Sequence, residues 1–179
     1  EYILSFIVRT LNIQALDPSL PEEFLDIFDE EKYIKSQDYT RSNSKFAYIT
    51  STFSLIIGLW FILSGFYNTV DLYARSFGFT EIITGLCFFA LLFIINDILS
   101  LPLSIYRTFV IEEKYGFNKT TYATYFTDKL KQYFLIILIG GPVLYIILYF
   151  FESFGSIAWL YIWAFLTCFS IIMQPIFNT

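Results

Sequence analysis

Residues 46–66 read FAYITSTFSLIIGLWFILSGF and contain no charged side chain. A helix that crosses the hydrocarbon core of a bilayer needs about 20 mainly apolar residues. Backbone N–H and C=O groups have no water partners inside lipid, so a spanning run must satisfy its hydrogen bonds within itself, as a helix does. This stretch therefore predicts a transmembrane helix.

Three other stretches meet the same criterion. Residues 82–103 are apolar except for Asn96 and Asp97, and residues 134–151 and 157–176 carry no charge. Short alternating segments of the kind found in membrane β-barrels are not evident. The predicted fold is all-α, a polytopic transmembrane helix bundle.

The first apolar stretch, Tyr2 to Val8, is too short to cross a bilayer. We interpret it as the end of a helix whose beginning precedes Glu1, and we expect the chain to be a piece of a longer protein. Residues 1–45 then comprise this partial first helix and an amphipathic connection, and residues 46–179 comprise a region of four transmembrane helices.

Composition narrows the class of protein. The chain is 56% hydrophobic, 22% aromatic and 15% charged, whereas soluble domains average about 25% charged residues. Its net charge of −5 argues against nucleic acid, which binds basic surfaces. The sequence has no His, the commonest metal ligand, so no metal site is predicted within it.

Lys and Arg residues predict the orientation in the membrane. The connections 9–45 and 104–133 hold five each of the eleven basic residues, 67–81 holds only Arg75, and 152–156 holds none. Basic residues concentrate in cytoplasmic loops. The first and third connections, and the C-terminal end near Thr179, are therefore predicted to be cytoplasmic.

The first connection is long and mostly polar. Residues 17–23 read DPSLPEE, which is typical of a turn followed by a helix start with acids in its first turn. The apolar residues that follow have an irregular amphipathic spacing: Phe24, Leu25, Phe28, Tyr33 and Ile34. We expect a surface helix packed on the bundle, and a helix lying on the lipid surface is the alternative.

The third connection predicts a cytoplasmic helical hairpin over residues 104–133. A helical stretch continues beyond Pro102 to Tyr115, and Gly116 can adopt the positive φ that ends a helix. Asn118 or Thr120 can cap the next helix.

Two polar groups are candidate sites. Glu112 and Glu113 are neighbours and cannot face each other on a helix, so we expect ion pairs with Arg107 or Lys114, or docking of a downstream cytoplasmic domain. Asn96 and Asp97 lie in an apolar run, where charge is costly. They line a cavity within the bundle, or they lie near the cytoplasmic boundary.

Residues 106–121, YRTFVIEEKYGFNKTT, resemble the signature of the type I CAAX prenyl proteases, which are integral-membrane zinc metallopeptidases. Residues 32–40, KYIKSQDYT, and 174–178, QPIFN, resemble two further segments of that family. The resemblance assigns structural or docking roles to six positions in the signature: Arg107, Glu112, Glu113, Gly116, Phe117 and Asn118.

The resemblance implies the N-terminal membrane domain of a zinc metalloendopeptidase, forming a wall of a membrane chamber. The family's His-Glu-x-x-His helix binds zinc and activates water, but no such motif occurs here. No catalytic or metal residue is therefore assigned. Zinc, a downstream zinc-protease domain and a peptide substrate are expected only for the full-length protein, and this segment alone is predicted inactive.

Two alternatives remain open. A non-catalytic membrane scaffold or interaction module would also lack the zinc motif, and a transporter or channel would draw on Asn96 and Asp97. The abundance of Phe, Ile, Tyr and Asn is typical of an AT-rich genome, so we predict a bacterial inner membrane as the location, with the lipid bilayer as the constant partner.

Overall fold

A computed structural model describes residues 2–20 and 29–177, with side chains as far as Gln174. Within these ranges all regular structure is helical, which confirms the predicted all-α class. The α-helices are α1 Tyr2–Gln14, α2 Glu30–Leu63, α3 Phe66–Arg75, α4 Glu81–Tyr106, α5 Tyr122–Leu135, α6 Gly141–Phe154 and α7 Ala158–Phe177. The helix start predicted at residues 21–23, and Phe24, Leu25 and Phe28, lie outside the described residues.

The long helical stretches are apolar enough to cross a membrane. Among the residues that the structure describes, three helical stretches qualify by length and composition: residues 30–63, 81–112 and 122–174. The third is 53 residues long, and it is interrupted at Gly155, which has a φ of +51°. Helices α6 and α7 therefore lie on either side of a turn, and the chain is a multi-pass membrane protein.

Helix α2 begins well before the predicted span because its N-terminus is capped in the polar connection. Asp29 Oδ1 accepts hydrogen bonds from the backbone N–H groups of Glu31 at 3.0 Å and Lys32 at 3.4 Å. Glu30 and Glu31 place negative charge in the first turn, where it interacts favourably with the positive end of the helix dipole. The same helix then continues without interruption into the uncharged run from Phe46.

The predicted end of this span at Phe66 is three residues too late. Helix α2 ends at Leu63, and Ser64 N–H bonds to the carbonyl oxygen of Trp60 at 2.9 Å. Gly65 then has a φ of +71°, a left-handed conformation that terminates helices. Phe66 instead begins α3.

Two segments of the spanning helices are π-helical. The first, Arg107–Glu112, follows α4, which runs through Pro102, as predicted. The second, Ile136–Gly140, joins α5 to α6. Single π turns inside helices accommodate extra residues and are frequent near functional sites.

The chain divides into two compact units. The first comprises residues 1–68 and 95–121, and its buried cluster is formed by Phe46, Ile111 and Tyr115, with Tyr39 and Leu103 packed against it.

The second unit comprises residues 69–94 and 122–179. In this unit α4 approaches α6 closely, since a Cβ added to Gly85 would lie 2.9 Å from Leu148 Cδ1. Between α3 and the start of α4, Arg75 bridges Asp71 at 2.8 Å and Glu81 at 3.1 Å.

Candidate functional site at the hairpin turn

The signature string folds into a helix end closed by its own backbone. Gly116 has a φ of +76°, and its N–H donates to the carbonyl oxygen of Glu113 at 3.0 Å. The Phe117 N–H donates to the carbonyl oxygen of Glu112 at 2.9 Å. These two bonds and the left-handed glycine make a Schellman motif, so the prediction that Gly116 ends the helix is confirmed.

Asn118 closes the turn with its side chain. Its Nδ2 donates to Glu113 Oε2 at 2.9 Å, and its Oδ1 accepts from the Thr120 N–H at 2.7 Å. Helix α5 begins at Tyr122, so its flanking residue is Thr121. The prediction that Asn118 or Thr120 caps this helix is therefore wrong, because the Asn118 amide is used within the turn.

The two adjacent acids have different partners. Glu112 Oε1 lies 3.4 Å from Arg107 Nε, whereas Glu113 accepts from the Asn118 amide. The sequence predicted Arg107 or Lys114 as ion-pair partners, but the Lys114 ammonium lies over the Tyr115 ring, 5.2 Å from its centroid. The Glu113–Asn118 contact therefore spans the turn, the Glu112–Arg107 pair lies on the helix before it, and the two acids do not form a carboxylate pair.

The hairpin is attached to α2 by aromatic side chains. Tyr115 is buried, its hydroxyl donates to the Asp38 carbonyl oxygen at 3.1 Å, and it lies 2.7 Å from Ser42 Oγ. The Tyr39 ring centroid lies 5.4 Å from that of Tyr115 and 4.6 Å from that of Phe117. The two basic connections therefore pack against each other.

Sequence reasoning did not find this contact. Tyr39 and Tyr115 both occur in the strings that carry the resemblance, but they are 76 positions apart in the chain, and no helical spacing relates them. Phe117 is left 56% exposed, so the hairpin presents an aromatic ring to its surroundings beside the two acids. That ring is the apolar part of the candidate docking surface.

Asn96 and Asp97 lie on α4, where Asn96 is exposed and Asp97 is half-buried. A concave surface in the described chain lies elsewhere, on α7, and is lined by Trp163, Leu166, Thr167, Ser170, Ile171 and Gln174. The cavity-lining role of Asn96 and Asp97 thus stays a prediction.

The side chains do not fit a zinc ion. Across residues 2–20 and 29–177, no group of three His, Cys, Asp or Glu side chains is arranged to hold a metal. Cys87 and Cys168 are both free thiols. No step of metal chemistry can be assigned to these residues.

Comparison with known proteins decides the family. A family model described as the CAAX prenyl protease N-terminal region, with five membrane helices, matches residues 9–179. The chain belongs to this family. The predicted resemblance is thereby confirmed over nearly the whole chain.

Individual relatives support the same family assignment. The chain is 33% identical to CAAX prenyl protease 1 of Saccharomyces cerevisiae, a match covering 90% of this chain and 40% of the relative. It is 30% identical to the CAAX prenyl protease 1 homolog of Arabidopsis thaliana, over 98% and 43% of the two chains. The crystal structure of S. mikatae Ste24p superposes with a TM-score of 0.89 at 32% identity, covering 99% of this chain and 43% of that one. The chain thus spans about two fifths of the length of these relatives.

Proposed function

We propose that the chain is the N-terminal membrane region of an integral-membrane zinc metalloendopeptidase. The observation that carries the proposal is the match of residues 9–179 to the CAAX prenyl protease N-terminal family. The similarity to the crystal structure of S. mikatae Ste24p over 99% of the chain supports it. The activity belongs to the whole protein, of which this sequence supplies the membrane helices.

In this proposal the membrane-spanning helices form a wall of the chamber in which a peptide is cut. The division into residues 1–45 and 46–179, with the hairpin 104–133 outside the membrane, is part of the same proposal. Asn96 and Asp97 face the chamber, because an ionisable group inside a membrane is normally directed to a protein or water-filled interior.

The hairpin turn docks a downstream zinc-protease domain. Arg107 pairs with Glu112 on the helix before the turn, and the Asn118 amide bonds to Glu113 across it. Phe117 stays exposed beside them. A pre-organised turn loses little conformational entropy on binding. A turn closed by its own hydrogen bonds beside an exposed aromatic ring therefore supports the docking role.

Zinc and the catalytic groups come from residues outside this sequence. The chain has no His, and its described acids and cysteines form no metal-binding group. When bound in the complete enzyme, zinc supplies Lewis-acid activation of water. The 179-residue chain alone binds no zinc and cleaves no peptide.

The test compares the complete polypeptide with the isolated chain of residues 1–179. Both are purified in the same detergent, their zinc content is measured by mass spectrometry, and cleavage of a prenylated and an unprenylated peptide is followed. We expect stoichiometric zinc and cleavage only for the complete polypeptide. Cleavage by the isolated chain contradicts the proposal, and a complete polypeptide without zinc or activity supports the non-catalytic scaffold instead.

The basic connections and the C-terminal end near Thr179 are proposed to be cytoplasmic. Support comes from the concentration of Lys and Arg in residues 9–45 and 104–133. The bacterial inner membrane stays a prediction from composition alone, since the relatives compared above are eukaryotic and lend it no support. Which peptides are cut, and whether they are prenylated, is the question that the two peptide substrates address.

A further inference from the structure

A cationic group, the Arg9 guanidinium, lies between α1 and α2. The two helices are joined by hydrogen-bonded side chains, since Tyr2 hydroxyl lies 2.6 Å from Thr52 Oγ1 and Thr10 Oγ1 lies 2.7 Å from the Tyr48 hydroxyl. Arg9 lies between these contacts, with Nη1 donating to Ser51 Oγ at 3.5 Å. Both helices belong to the first compact unit.

The position of Arg9 follows from the sequence of both helices. It is the first charged residue after the apolar stretch from Tyr2 to Val8, and it contacts the beginning of the uncharged stretch that starts at Phe46. Ser51 lies about 7–8 Å along the helix axis beyond Phe46, at about 1.5 Å per residue. A long basic side chain near a helix end directs its charged head towards the headgroup layer, which adds about 5–7 Å on each side of the hydrocarbon core.

The neighbours of Arg9 orient it and leave most of its donors available. The Thr10 hydroxyl donates to the Phe6 carbonyl oxygen at 2.8 Å, so the Tyr48 hydroxyl must donate its proton to Thr10. Ser51 Oγ donates to the Tyr48 carbonyl oxygen at 3.2 Å. The Arg9 guanidinium carbon lies 5.4 Å from the Tyr48 ring centroid, an arrangement favoured for cations on aromatic rings.

No carboxylate compensates this charge in the described part of the chain: neither Arg9 nor Lys45 has an Asp or Glu oxygen within 4.0 Å among residues 2–20 and 29–177. Lys45 is exposed and lies three residues before Tyr48 on α2, which places the two on one side of the helix. Lys45 thus lies about one helical turn from the Tyr48 ring over which the Arg9 guanidinium lies.

We propose that Arg9 and Lys45 bind the phosphate of an anionic phospholipid, with Tyr48 and Ser51 positioning the guanidinium. Arginine binds phosphate through two parallel N–H donors, and basic residues beside a membrane attract anionic lipids by about 1 kcal/mol each, or roughly fivefold in affinity. A soluble anion is disfavoured because the guanidinium contacts Ser51 within the uncharged stretch of α2. The site is independent of peptide cleavage.

The test measures lipid binding by the complete polypeptide in detergent, using native mass spectrometry with phosphatidylglycerol against phosphatidylcholine. We expect a preference for phosphatidylglycerol that falls about fivefold in R9Q and roughly 25-fold in R9Q/K45Q. R9K keeps more of the preference than R9Q because it retains the charge. The control K35Q/K119Q removes two exposed charges from residues away from the α1–α2 contact and should change the preference little.

Three results would overturn the proposal. The first is a wild-type protein without any preference between the two lipids. The second is an equal loss in R9Q/K45Q and in K35Q/K119Q, which would assign the preference to overall charge. The third is displacement of the lipid by millimolar inorganic phosphate, which would identify a site for soluble anions. Thermal unfolding of each variant in phosphatidylcholine, unchanged from wild type, shows that the fold is retained.

Discussion

The Tyr115 hydroxyl lies 2.7 Å from Ser42 Oγ and donates to the backbone carbonyl of Asp38 at 3.1 Å. With the Tyr115 proton committed to Asp38, Ser42 must donate to the Tyr115 oxygen. This pair of bonds joins the polar part of α2 to the helix that precedes the signature turn, across 73 positions of sequence. The signature therefore derives its rigidity partly from a segment far away in the chain.

Removing this hydroxyl should destabilise the protein. We expect Y115F to lower the free energy of unfolding by about 1–2 kcal/mol, because Ser42 and the Asp38 carbonyl lose a partner in a partly buried place. Thermal unfolding in detergent measures the change. Y73F is the matched control, since Tyr73 is 56% exposed, and a loss in Y73F as large as in Y115F would contradict this account.

The sequence predicted the helices well and their tertiary contacts poorly, for a physical reason. Membrane crossing depends on a local property, the absence of charge over about 20 residues, and a positive φ at Gly116 is likewise a local requirement of glycine. The partners of Tyr115 and Arg9 depend on which helix faces arrive together, which no spacing within one helix encodes. The cap of α5 was mispredicted because the Asn118 side chain could either cap α5 or form hydrogen bonds within the turn. In the structure it bonds within the turn.

Gly116 should tolerate substitution only by residues that accept a left-handed backbone. At a φ of +76°, alanine costs about 1–2 kcal/mol, whereas asparagine adopts this region more readily. We expect the free energy of unfolding to be highest for the wild type, lower for G116N and lowest for G116A. In contrast, G58A should stabilise by about 0.5–1 kcal/mol, because Gly58 is within α2 with nothing within 4 Å of an added Cβ. Equal effects at both glycines would exclude backbone strain as the cause.

Gly85 should be sensitive to size rather than to conformation. Its added Cβ meets Leu148 Cδ1 at 2.9 Å, so G85A requires only a small movement of a flexible side chain, while G85V overpacks the contact by about 1–3 kcal/mol. The double variant G85V/L148A should lose less stability than the sum of the two single variants, which a double-mutant cycle of unfolding free energies measures. Strict additivity would show that the two side chains do not meet.

Acid should loosen the start of α2. Hydrogen bonds from the backbone N–H groups of Lys32 and Glu31 hold the pKa of the Asp29 carboxyl below its ordinary value of 3.8. A lowered folded pKa means that the stabilisation is complete above 3.8 and is lost as the pH falls through the lower folded value. We expect amide exchange at Glu31 and Lys32, corrected for intrinsic rates, to increase only as the pH falls below 3.8.

Two variants isolate this carboxyl. D29N retains a capping oxygen without a charge, so its exchange should show no step at the Asp29 titration. D29A should exchange faster at every pH. An acid step of unchanged size in D29N would assign the effect to another group.

The membrane orientation can be tested independently of charge counting. The contact between Tyr115 and Ser42 requires both basic connections to lie on one side of the bilayer, whatever the distribution of Lys and Arg. Single cysteines are introduced as K32C, K119C, S76C and S156C into the C87A/C168A background, all at exposed positions. Sealed vesicles with the cytoplasmic side inward are then treated with a membrane-impermeant maleimide before and after permeabilisation.

We expect K32C and K119C to react only after permeabilisation, because the distribution of Lys and Arg predicts that both connections are cytoplasmic. S76C and S156C should react at once, since they lie in the connections that hold one and no basic residue. If K32C and K119C reacted before permeabilisation and S76C and S156C only after it, the orientation would be the reverse of the predicted one. The contact between Tyr115 and Ser42 would still be possible. Labelling of K32C and K119C from different sides would be incompatible with a hydrogen bond between Tyr115 and Ser42, and the packing of the signature turn against α2 would then have to be abandoned.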